Sequence, residues 1–182
     1  MTENDLTNAL HTYWAYHLLG LGLPWPNLVE TSDRALAAGL YSELFREILY
    51  DGTVPPTNWI HKLSEELRSR GIEPLPWPLT PETEIMAIKL YVRDQLQRRF
   101  QQASVKTLSD AKDFVMAIEH YCGADLDQLD LSDFKQHYYQ WHYHYEDILF
   151  GAKYTQAKSH TIHELIKSAQ RWLSENQVQT YP

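Results

Sequence analysis

Apolar residues return at three- and four-residue steps in nearly every segment of this chain, and that period decides its fold class. Leu6, Leu10, Tyr13 and His17 share one face of a helix over residues 5–19. Leu36, Leu40, Leu44 and Ile48 form a stripe along a second helix, capped by Thr31 or Ser32 and stopped at Asp51-Gly52. A third starts near Pro55 or Pro56, turns Trp59, Ile60, Leu63 and Leu67 inward, and ends at Gly71. Thr80 caps a fourth, with Pro81 at its first position and Ile85, Ile88, Val92, Leu96 and Phe100 on its apolar side.

Further on, Thr107 with Asp110 suggests a capping box for a fifth helix over residues 108–121, which buries Phe114, Val115 and Ile118. Phe134, Tyr138, Trp141, Tyr145 and Leu149 keep helical spacing through a sixth. After a break at Gly151-Ala152, a seventh covers residues 155–174 and faces inward with Ile162, Leu165, Ile166, Ala169, Trp172 and Leu173. HYYQWHYHY, from His137 to Tyr145, alternates as a strand would. Helical spacing persists beyond it, however, and a lone strand has no partner. The expectation is an all-α, compact single-domain bundle over residues 1–182, with six or seven helices, mostly antiparallel.

Two Pro-Trp-Pro segments, Pro24-Trp25-Pro26 and Pro76-Trp77-Pro78, read as extended linkers. Proline removes a backbone donor and biases the preceding residue away from helix. Each segment sits in a longer echo, LPWPNLVET against LPWPLTPET, which suggests a weak duplication of linker plus helix over residues 23–50 and 75–102. Two copies are too few for a solenoid.

The formal charge of −8 argues against a free-standing nucleic-acid binder, which needs a basic footprint. A single cysteine, Cys122, excludes an intrachain disulfide framework and a CxxC zinc site. Residues 1–8 lack the basic start of a secretory leader, and no apolar run is long enough to span a bilayer. A cytoplasmic protein with no membrane association is the resulting expectation.

Candidate chemistry concentrates between Asp133 and Glu164, which hold His137, His142, His144, Glu146, Asp147, His160, His163 and Glu164. His142 and Glu146 are four apart, as are His160 and Glu164, so each pair shares a helix face. In a tight hairpin at Gly151-Ala152, His142 would face His163 and Glu146 would face His160. His142, Glu146 and His163 are therefore the candidate ligands of a divalent metal. Against that stands the angular position of His160 and Glu164, nearly opposite the apolar face of their helix. His142 or His137 beside Glu146 or Asp147 also has the makings of an acid–base pair. No nucleophile stands in a recognisable context, and whether the chain is an enzyme stays open. The Asp125, Asp127, Asp130 and Asp133 series lacks the glycine and glutamate of a calcium loop.

Aromatic residues make up 13% of the chain, with 12 Tyr and 6 Trp, which suits an amphipathic binding surface. Trp25, Trp77 and Trp141 are the candidate binding aromatics, for a peptide or a flat cofactor. The leading expectation is a helical interaction or small regulatory protein whose partner is another protein or a second copy of itself. The alternative is a metal- or cofactor-dependent helical-bundle enzyme with a His/Glu site between the last two helices.

Overall fold

The chain is all-helical in a computed structural model, which describes residues 1–22, 25–51, 58–104, 106–145 and 150–176. Among the described residues lie eight α-helices and no strand. None of those helices is long and apolar enough to cross a membrane. The chain forms two compact units, one running to Tyr91 and the other starting at Val92.

The first unit contains α1 (Glu3–Leu18), α2 (Trp25–Ala37), α3 (Glu43–Asp51), α4 (Trp59–Ser69) and the beginning of α5 (Pro81–Arg99). A capping box starts α1: the Thr2 hydroxyl accepts from the Asp5 amide at 3.2 Å, and the Thr2 amide donates to Asp5 Oδ2 at 2.9 Å. Leu6, Leu10, Thr12 to Tyr16 and Leu18 are all buried. A helix covered around so much of its circumference is the centre of its unit rather than one wall. Glu3 pairs with Arg70 while His17 meets the Trp59 ring at 6.2 Å, so α1 and α4 run antiparallel. Tyr13 and Thr31 hydroxyls bond at 2.8 Å between α1 and α2. Lys62 pairs with Glu47, and Ser42 donates to Glu66 at 2.6 Å, which sets α3 antiparallel to α4.

Three corrections concern this unit. Trp25 and Pro26 occupy the first turn of α2, so the first Pro-Trp-Pro segment is no extended linker there. A proline in a first turn sacrifices no intrahelical bond, because those amides have no acceptor anyway. Thr31 and Ser32 then sit inside the helix and are buried, and Ser32 turns its hydroxyl to the Leu28 carbonyl at 2.8 Å. The expected long second helix also splits in two, since α2 ends at a Schellman turn: Gly39 (φ 78°) donates to Leu36 at 3.0 Å, and Leu40 to Ala35 at 2.9 Å. The helix count therefore exceeds six or seven. The start expected at Pro55 or Pro56 lies outside the described residues.

The second unit holds the rest of α5, then α6 (Thr107–Met116), a π-helical turn (Ala117–Tyr121), a 3₁₀ turn (Leu126–Leu129), α7 (Ser132–Gln140), a second π turn (Trp141–Tyr145) and α8 (Gly151–Glu175). Its centre is three phenylalanines from three helices or helix ends. The Phe100, Phe114 and Phe134 rings meet edge to face at 6.0, 5.1 and 5.3 Å, each almost fully buried. This is the arrangement that the ring quadrupole favours. Thr107 departs from its expected role: it is the first helical residue of α6, is buried, and donates back to Ser104 at 2.9 Å. Gly151 departs too, beginning α8 instead of breaking a hairpin. Ile88, Val92 and Leu96 on α5, and Phe100 just past its end, are buried as their spacing requires, but Ile85 is 46% exposed.

Candidate functional site

Arg171 meets Asp133 at 2.6 Å, His137 Nε2 lies 3.8 Å from Glu164, and the Trp141 and Tyr154 rings are 5.3 Å apart. The partner numbers fall along α8 as they rise along α7, so the two helices are antiparallel. Trp172 closes the far end by donating its indole N–H to the Leu129 carbonyl at 2.6 Å. This register puts Tyr154 and Lys158, rather than His163, beside His142.

The buried line on α8 is Thr161, Leu165, Ser168, Ala169 and Trp172. Hydropathy discounts Thr161, yet its hydroxyl is satisfied by the Ala157 carbonyl at 3.0 Å and can be buried at small cost. Including it rotates the inward face. Glu164, expected to point outward, therefore turns to His137 and Lys167. His160 and His163 are exposed.

Trp141, His142 and Tyr154 border a cavity of about 270 Å³, together with Leu108, Ser109, Lys112, Tyr138 and Lys158. Tyr138, Trp141 and His142 stand three and four residues apart and so share one face, where α7 passes into the π turn. His142 stacks on Tyr138 at 5.7 Å with the rings only 6° from parallel. Lys158 lies 5.9 Å over the Tyr154 ring. Next to the cavity, the Tyr139 hydroxyl donates to Glu119 at 2.6 Å. Burial, then the Glu119 hydrogen bond and charge, push that phenol above its usual range.

Of the metal candidates, His142 is half-buried at the cavity, His163 is exposed, and Glu146 lies outside the described residues, as does Asp147. Among the described residues, no group of three or more His, Cys, Asp and Glu is arranged to hold a metal ion. The aspartates at 125 and 127 are engaged by Lys135 Nζ at 2.7 Å each. That lysine occupies the place a cation would need. Asp125 caps the 3₁₀ turn through the Asp127 amide at 3.0 Å.

The binding aromatics divide sharply. Trp141 is 4% exposed and Trp25 is half-buried, whereas Trp77 is 73% exposed. The residues before Trp77 explain its position. Pro74 and Leu75 are buried, and the Leu75 carbonyl accepts the Trp14 indole N–H at 2.9 Å. The segment is thus clamped just ahead of the indole, which stands in solvent beside a cis Trp77-Pro78 bond. The histidine and carboxylate spacings give no sign of Lys112 and Lys158 at the cavity; the four-residue step from Tyr154 to Lys158 is the signal for the second, and Lys112 has none.

The chain matches no known protein family, no characterised protein and no solved structure.

Proposed function

We propose that this is a helical interaction protein that binds another protein chain, a second copy of itself included, through the segment bearing Trp77. The observation that carries this reading is the indole itself, exposed over 73% of its surface on a segment clamped by the Trp14–Leu75 hydrogen bond. Tryptophan is the residue most enriched at interface hot spots, and a pre-positioned one loses little entropy on binding. Tyr41 and Tyr50, also in the first unit, are 67% and 94% exposed and extend the aromatic character of its surface. A cytoplasmic setting belongs to the same proposal, in keeping with the single cysteine.

Sedimentation of the purified chain over a wide concentration range tests the self-association form. A reversible dimer that Trp77→Ala abolishes supports it, and a monomer at every concentration assigns the contact to a different protein. The metal-dependent alternative gains no support from the described residues.

A further inference from the structure

The cavity between α6, the second π turn and α8 has a chemistry of its own, independent of the Trp77 segment. We propose that it binds a small aromatic anion: a planar ring bearing a carboxylate or a phosphate.

Its charge is the first reason. The chain carries 24 acidic against 16 basic side chains, yet among the described residues the charged ones bordering this cavity are two lysines. Lys62, Lys135 and Lys167 each sit against a carboxylate. Lys112 and Lys158 make no ion pair among the described residues and so keep their charge for the cavity. Leu108 and Ser109 add the first turn of α6, which receives no side-chain cap and whose amides carry partial positive charge. Asp110 and Asp113 oppose this from the same helix, but Arg99 lies 3.9 Å from each.

The walls are the second reason. Tyr154 and His142, both half-buried, present ring surface to it over a floor of nearly buried Tyr138 and Trp141, and a flat ligand stacks on such rings with little regard to its substituents. At about 270 Å³ the cavity lies just under the range of small-molecule sites, a size suited to one ring and one anionic group. The third reason is the π turn that borders it through Trp141 and His142, a departure from α-helix that recurs at functional sites. Together these point to the ligand: a ring against Tyr154 and His142, its anionic group between Lys112 and Lys158.

Calorimetry on the full chain tests this with three probes: phenyl phosphate, neutral phenol and inorganic phosphate. Saturable binding of phenyl phosphate is expected, at least about tenfold tighter than either other probe. Lys112→Ala and Lys158→Ala should each weaken it about tenfold, and added salt should weaken it further. Lys112 is exposed and Lys158 half-buried, and a circular dichroism melt confirms that each variant folds. No saturable binding up to about 10 mM overturns the proposal. So does binding that both lysine variants leave unchanged, or phenol or inorganic phosphate binding as well as phenyl phosphate.

Discussion

Phe134→Ala removes the side chain on which the second unit is centred, and the structure fixes how much that costs. Phe134 is 0% exposed and meets Phe100 and Phe114 edge to face at 5.1 and 5.3 Å. Returning so large an apolar group to water forfeits about 1.5–3 kcal/mol. A residual cavity of about 70 Å³, at about 24 cal/mol per Å³, adds about 1.7 kcal/mol. The sum is about 3–5 kcal/mol, and the two lost ring contacts push it toward the upper end. With a urea slope of about 2 kcal/mol/M, the unfolding midpoint should fall by about 2 M. Phe150→Ala is the matched control, because that ring is 84% exposed, and its substitution should stay within about 0.5 kcal/mol. Urea unfolding followed by circular dichroism reads both. A cost below about 1 kcal/mol for Phe134→Ala, or equal costs for the two variants, would refute the three-ring core.

Two other predictions follow from single atoms. Trp14→Phe replaces the indole by a smaller ring without the N–H, leaves the Leu75 carbonyl without its 2.9 Å donor, and should destabilise the chain by at least about 1–3 kcal/mol in the same assay. No measurable loss would mean that the Trp77 segment is not clamped there. Among the described residues His11 Nε2 is buried without a hydrogen-bond partner, and burial holds the imidazole below its ordinary value of 6.5; His17 shifts the same way for the same reason. The unfolded chain then takes up protons that the folded one refuses. Stability should decline as pH falls below about 6.5, and level off once the folded imidazoles also charge. Asp5, Asp125 and Asp127, held below the usual carboxylate range by their hydrogen bonds, add their own loss only under about pH 4. His11→Gln should flatten the upper part of that decline; a pH profile identical to that of the unsubstituted chain would contradict the assignment.

Helical period made the all-α class legible, together with most of the buried positions, among them Leu6, Leu63, Phe114 and Trp172. Element ends were harder to read, because they turn on local hydrogen bonds rather than hydropathy. The Schellman turn at Gly39 and the helical start at Trp25-Pro26 are both of this kind. The candidate site was legible as a region and not as a set of contacts. Helical spacing puts Tyr138, Trp141 and His142 on one face, but the meeting of that face with Lys112 and Lys158 depends on how α6 and α8 pack against it. Counting only apolar residues likewise left out Thr161, whose satisfied hydroxyl lets α8 rotate Glu164 toward His137. The two Pro-Trp-Pro segments look alike in sequence and differ in backbone. What separates them is tertiary: Trp14 takes hold of the Leu75 carbonyl, one residue before the second.

The binding role assigned to Trp77 is tested most directly by photocrosslinking in cells from that position. A benzoylphenylalanine at residue 77 replaces one exposed aromatic by another and should leave the fold intact. Irradiation is predicted to give one discrete adduct, with a partner or with a second copy of the chain, and the same probe at exposed Tyr121 should not give it. No adduct from position 77, or the same products from both positions, would contradict the reading of Trp77 as a docking anchor.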